Sequence, residues 1–337
     1  MQRISSKFTR SFLLALSAFI AVTALLESAD AQTPPNPYKV VDGFIKLPAG
    51  RTWGAVGAVD VDRNGTVWVF ERCGGTRCDE SKLDPIMAFD RSGNLIRSFG
   101  AGMFVFPHGL GLDRDGNVYV TDAEGKNGKG HIVVKFSPEG KVLMTLGKPG
   151  VAGPGTDVFN RPTDVVVATN GDIFVSDGHG GDSNARVVKF SKDGKFIKTW
   201  GKKGSATGDF SEPHSITLDT QGRVFVADRG DNNRIQIFDA DGNFIAEWKH
   251  LGRPSGVYID ANDILYVGDT VPQGKRTPAK QDGIWVASAK DGKVIAFIPD
   301  IGLTKEASDA PEGVAADAQG NIYAAQTNSR NLRKYSK

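Results

Sequence analysis

Short runs in which apolar and polar residues alternate recur along the whole chain, and they come in pairs joined by Asp-x-x-Gly or a close variant. In the stretch PHSITLDTQGRVFVADRG from Pro213, Ser215–Leu218 and Arg223–Ala227 flank the turn Asp219-Thr220-Gln221-Gly222. Period-two alternation bounded by Asp, Asn and Gly predicts a β-hairpin. The phrase occurs six times, from Gly54, Pro107, Pro162, Pro213, Pro254 and Pro311. A second pair of runs follows it, as in RIQIFDADGNFIAEW from Arg234 to Trp248 and RVVKFSKDGKFIKTWG from Arg186 to Gly201. Each repeat therefore predicts four antiparallel strands. With no helical periodicity between them, six such repeats predict an all-β, six-bladed β-propeller.

The spacing between successive Pro-initiated copies varies from 41 to 57 residues. Constant strand content with variable loops accounts for this. The long connections, Lys148–Asn160, Lys202–Phe210 and Thr270–Gly283, are expected at the surface near the blade ends, where sites are commonly built. The sixth copy stops after its third strand, Asn331–Tyr335, while YKVVDGFIKL, Tyr38–Leu47, precedes the first copy and reads like a fourth strand. This N-terminal strand is expected to complete the last blade, which closes the ring and leaves no free sheet edge.

Charge and composition narrow the role. The 337 residues carry 41 Lys+Arg against 39 Asp+Glu, a formal charge of +2, with no basic stripe, so nucleic acid is not an expected partner. Arg3, Lys7 and Arg10, the apolar stretch Ser11–Leu26 and Ala29-Asp30-Ala31 form a secretory signal pattern. The expectation is a signal peptide at 1–31 and a single propeller domain at 32–337, exported to the periplasm or secreted, with no membrane attachment after cleavage. The alternative, an uncleaved anchor, needs about 20 apolar residues, and this core is shorter. Cys73 and Cys78, in CGGTRC, are the two cysteines. In an oxidising compartment they are expected to form a local disulfide. A thiolate metal site would require further ligands that no second Cys pair supplies.

The residue after each proline opens the strand that lines the channel. These residues are His108, Thr163, His214, Ser255 and Glu312, with Val56 in the first copy. His108, His214 and Glu312 fall in alternate blades, roughly 120° apart in a ring whose blades are about 60° apart. Two imidazoles and a carboxylate converging in this way suit zinc, with iron the alternative, and leave positions open for water or substrate.

ADRGDNNRIQIFDADGNFIAEW from Ala227 resembles the NHL repeat. FPHGLGLDRDGNVYVTD from Phe106, FNRPTDVVVATNGDIFVSDG from Phe159 and GDFSEPHSITLDTQGRVFVADR from Gly208 resemble the peptidyl-α-hydroxyglycine α-amidating lyases, over about Val69–Arg229. That resemblance implies a six-bladed propeller whose channel zinc is held by three histidines. It also implies cleavage of a peptidyl-α-hydroxyglycine to a peptide amide and glyoxylate. Matched residue by residue, two zinc histidines fall on His108 and His214, and the third falls on Glu312. The family's active-site arginines fall on Arg72 and Arg229, and its catalytic tyrosine falls on His179, which would then move the proton. The aspartate of a family calcium site falls on Gly313, so calcium is not expected. The leading expectation is a metal-dependent lyase with a small-molecule or peptide substrate. The alternatives are a non-catalytic module that binds peptide, protein or glycan, and a lactonase-like hydrolase built around calcium.

Overall fold

The computed structural model describes residues 33–270, 282–300 and 311–337. The signal expected at 1–31 and most of the connection Thr270–Gly283 lie outside the described residues. Among the described residues, 24 strands form six four-stranded antiparallel sheets, each a consecutive meander except the last. In the last sheet Lys39–Val41 pairs with Asn331–Ser336, with Lys39 opposite Ser336 and Val41 opposite Lys334. The N-terminal strand thus closes the ring as expected, but it is shorter than Tyr38–Leu47. Asp42-Gly43 turns the chain, with Gly43 at φ 63°, and Lys46 then bridges to Asn94 in the first blade.

The hairpin turns explain why Asp recurs. The Asp219 carboxylate accepts the backbone N–H groups of Gln221 and Arg223, and Gly222 takes the left-handed conformation that ends the turn. Asp62, Asp113, Asp260 and Asp317 do the same in their blades. The third blade has Ala168 at this place; there Asn170 accepts from the Asp172 N–H instead.

The core lies between neighbouring sheets. Phe70 of the first blade meets Phe104 edge-on at 5.1 Å between centroids, in one cluster with Val120, Val134 and Phe136 of the second. Toward the axis the inner strands come too close for side chains. A Cβ on Gly109 would lie 2.4 Å from the Thr163 carbonyl oxygen, and one on Gly256 would lie 2.7 Å from that of Glu312. The central cavity they enclose has a volume of about 610 Å³ and is lined by His108, His214, Glu312, Asp60, Asp164 and Tyr258 among others.

Candidate metal centre

In the first five blades an acid at the end of the second strand aims the inner strand, and the sixth has Gln326 at that place. Asp122 accepts the N–H groups of Val105 and Phe106, just before Pro107-His108. Asp228 accepts those of Ser211 and Glu212, just before Pro213-His214. These bonds fix the chain where it turns into the channel, so each histidine enters from a backbone held on both sides.

Both imidazoles are buried, with His108 3% and His214 1% exposed. His108 Nδ1 donates to the Thr163 carbonyl at 2.7 Å, and His214 Nδ1 donates to the Ser255 carbonyl at 2.9 Å. Those bonds put the proton on Nδ1 and leave a lone pair on each Nε2, and neither Nε2 has a hydrogen-bond partner. One carboxylate oxygen lies near both: Glu312 Oε1 is 3.6 Å from His108 Nε2 and 3.3 Å from His214 Nε2. Without a proton to share, these contacts are not hydrogen bonds. Buried lone pairs facing one another are costly unless a cation lies between them. The donor set therefore fits a metal, and the backbone carbonyls behind the histidines supply the orienting hydrogen bonds that metal-ligating imidazoles generally make.

His179 joins the group. One donor atom from each of His108, His179, His214 and Glu312 lies within 4.8 Å of the others. Burial, together with the neighbouring His214 and Arg229, pushes the His179 imidazole down to about 3, so it is neutral at ordinary pH. Burial and the adjoining His179 and His214 likewise hold His108 well below its usual range. Burial would raise Glu312, but the neighbouring His214, Arg229 and His108 outweigh it and hold the carboxyl well below the usual carboxylate range.

Arg229 reaches this carboxylate. Its Nη1 donates to Ser255 Oγ at 2.7 Å and lies 3.5 Å from Glu312 Oε2, while Nη2 donates to Glu212 Oε1 at 3.0 Å. Ser255 Oγ in turn donates to Glu312 Oε2 at 3.2 Å. Arg72 is placed differently. Its Nε donates to the Pro107 carbonyl at 3.1 Å and its guanidinium lies 3.8 Å from the centre of the Phe106 ring. Its two Nη groups have no acceptor among the described residues. The Cys73–Cys78 disulfide expected from sequence follows directly, with its Cα atoms 5.2 Å apart, and ties the loop that carries Arg72.

Several supporting residues here have no role in the sequence expectation. Glu212 is one: burial would raise its carboxyl, but the neighbouring Arg229, His214 and His179 bring it to about 2. Its pairing with Arg229 follows from the hairpin register, which sets these two residues opposite each other. Thr163 and Ser255 are the others, since their backbone carbonyls hold the histidines. His131 and His250 stand apart: His131 Nδ1 accepts from the Arg161 N–H, and His250 Nε2 donates to the Gly292 carbonyl. Deeper in the channel, burial pushes both Asp60 and Asp164 up to about 7.

Replacing Gly109 with alanine tests the close approach behind His108. The new Cβ would meet both the Thr163 carbonyl and Asp164 Oδ1, at 2.4 and 2.5 Å, so the third blade's inner strand must move. The carbonyl that orients His108 moves with it. Gly109→Ala is expected to lower both melting temperature and metal affinity, the latter by about 10- to 100-fold as for lost orienting partners. Calorimetry and metal titration read the two effects separately.

The NHL repeat family profile matches residues 210–238. Peptidyl-glycine alpha-amidating monooxygenase B of Xenopus laevis is 31% identical over 295 residues, which cover 82% of this chain and 30% of that protein. A probable peptidyl-alpha-hydroxyglycine alpha-amidating lyase of Caenorhabditis elegans is 34% identical over 201 residues, covering 54% of this chain and 55% of that one. The chain thus spans about a third of the first relative's length and about half of the second's. A gluconolactonase from Xanthomonas campestris is similar in structure, with a TM-score of 0.61 and 14% identity over 90% of this chain and 96% of that one, a likeness of fold alone.

Proposed function

We propose, from the premise that this chain is an NHL-repeat six-bladed propeller similar in sequence to peptidyl-α-hydroxyglycine α-amidating lyases, that it is a metal-dependent carbon–nitrogen lyase acting on a peptide or small carbinolamide. The observation that carries this reading is the pair of buried, unpartnered Nε2 atoms of His108 and His214, both within 3.6 Å of Glu312 Oε1. These three residues would hold a divalent ion, zinc or iron. When bound there, the ion supplies Lewis acidity that lowers the pKa of a substrate hydroxyl.

The chain's own groups do the rest. Arg72, whose two Nη groups have no acceptor among the described residues and whose face packs on Phe106, is placed to grip a substrate carboxylate in a two-pronged contact. Arg229 keeps Glu312 and Glu212 in place, and its buried Nε, without a partner, remains for a substrate oxygen. Cleavage then needs little more than positioning. The hydroxyl proton leaves, its oxygen becomes the glyoxylate carbonyl, the C–N bond breaks, and the departing nitrogen takes up a proton to give the amide. His179 offers a neutral imidazole beside both other histidines, and its lone pair can either accept a proton or hold the ion. The Cys73–Cys78 disulfide supports the export expected from residues 1–31.

Purified protein incubated with a peptidyl-α-hydroxyglycine is expected to release glyoxylate in a chelator-sensitive manner, and to carry stoichiometric transition metal. A protein that retains metal but releases no glyoxylate would leave the propeller a binding module. A protein without stoichiometric metal would end the metal reading altogether.

A further inference from the structure

We propose that His179 is a fourth protein ligand of this metal, making the centre a set of three imidazoles and one carboxylate that serves a divalent ion able to take more than four ligands. The proposal rests on the metal reading above and specifies it further.

The argument begins with spacing. His108 and His214 have ring centroids 4.7 Å apart, His108 and His179 are also 4.7 Å apart, and His179 and His214 are 5.3 Å apart. His179 therefore completes a triangle of imidazoles and does not stand behind the other two. Around an ion with bonds of ~2.1 Å, neighbouring donors are ~3–3.4 Å apart and opposite donors ~4.2 Å. The two measured His–Glu312 separations, 3.6 and 3.3 Å, sit close to the neighbouring distance, and the 4.8 Å limit for the whole group lies just beyond the opposite one.

The loop that carries His179 is built to hold it there. The Asp177 carboxylate at its base accepts from the Asn160 N–H, the Asn184 amide and Arg186 Nε. At its tip Arg161 Nη1 donates to the His179 carbonyl at 3.1 Å. Gly178 lies against the returning chain so closely that a Cβ would sit 2.0 Å from the Asn184 carbonyl oxygen. Among the described residues no group bonds either ring nitrogen of His179, so the imidazole enters the cluster with a lone pair uncommitted.

Ligand number constrains the ion. Catalytic zinc commonly has three protein ligands and one open position, whereas four protein ligands fill a tetrahedron. A site with this set and room for substrate suits a five- or six-coordinate ion such as iron(II), manganese(II) or cobalt(II). Six-coordination leaves two positions, enough for a substrate that offers two oxygens. A ligating lone pair cannot also accept the hydroxyl proton, so the inference removes His179 from the role of base.

Cobalt(II) titration of metal-free protein, followed by visible absorption, tests this. Wild-type protein is expected to bind cobalt with the weak bands of a five- or six-coordinate ion. In His179→Gln the bands should shift and affinity should fall by more than the ~10- to 100-fold that losing an orienting partner costs. Far-UV circular dichroism of His179→Gln checks folding, and His250→Ala, which removes an imidazole bonded to Gly292 away from the cluster, should bind cobalt like wild type. Unchanged bands and affinity in His179→Gln, or intense four-coordinate bands in wild type, would overturn the proposal and leave the lyase reading standing. Wild-type protein that binds no cobalt would overturn both.

Discussion

His214→Ala is expected to abolish the metal-dependent part of the protein's thermal stability together with its activity. In the metal-free protein the His214 ring is a cost as well as a contact: its Nε2 is buried, unpartnered and 3.3 Å from a carboxylate oxygen. Metal binding turns that cost into a bond. By linkage, an ion present at a hundred times its dissociation constant adds about 2.7 kcal/mol to the folded state. Scanning calorimetry should therefore show wild-type protein melting several degrees higher with metal than with chelator. In His214→Ala the two traces should coincide, and the chelated mutant should melt close to chelated wild type, because the lost packing is offset by relief of the facing lone pairs. A metal-induced increment that survives in His214→Ala would remove His214 from the site. A chelated mutant that melts far below chelated wild type would show that the ring is chiefly a packing element.

The residues at the channel mouth divide by blade. Even blades present the groups that face the axis, His108, His214 and Glu312. The third and fifth blades hold those groups in place, through the Thr163 carbonyl under His108, the Ser255 carbonyl under His214 and the Ser255 hydroxyl on Glu312. Thr163 is itself anchored, since its Oγ1 donates to the Pro213 carbonyl at 2.6 Å, directly before His214. Blades two, three and four are thus coupled through one threonine, and a shift in any of them is felt at both imidazoles.

This division shows which parts of the site a chain can reveal. Blade number, turn positions and ring closure are legible because they repeat, and even the exception at Ala168 keeps its Gly171. The placing of His108, His214 and Glu312 is legible for the same reason, since a fixed place in a repeat becomes a fixed place on an axis. The supporting acceptors are hidden, because a backbone carbonyl leaves no mark on residue type. Glu212 lies between these cases. Counting the hairpin register from Leu218 and Val224 sets Pro213 opposite Arg229, and only the bulge between Pro213 and Ser215 shifts Glu212 into that place. His179 depends on a loop folding back over the channel. Nothing in Ser176–Asp182 encodes that path except its glycines, and the contacts with Asn160 and Arg161 that fix it come from another connection.

Asp228→Ala is expected to be among the most destabilising single changes, and to disturb the metal centre from a position that does not touch it. The side chain is fully buried and makes four bonds. Oδ1 accepts the N–H groups of Ser211 and Glu212 at 2.7 and 3.0 Å, and Oδ2 accepts from Asn232 Nδ2 at 2.7 Å and Arg234 Nε at 3.1 Å. Truncation leaves two backbone donors without their acceptor, and the Asn232 amide with only the Gly204 carbonyl. It also leaves the Arg234 guanidinium, 3% exposed, with only the partly exposed Glu247 as counter-charge. Removing one member of a buried ion pair costs about 3–5 kcal/mol. Asp228→Asn keeps an oxygen for the two backbone donors but sets an amide against Arg234, so its loss should be smaller. The two variants separate positioning from charge. If the Ser211–Glu212 bonds aim His214, Asp228→Asn should keep most of the metal-induced rise in melting temperature, whereas Asp228→Ala should lose both stability and that rise. Equal metal responses in the two variants would show that the inner strand finds its place without this carboxylate.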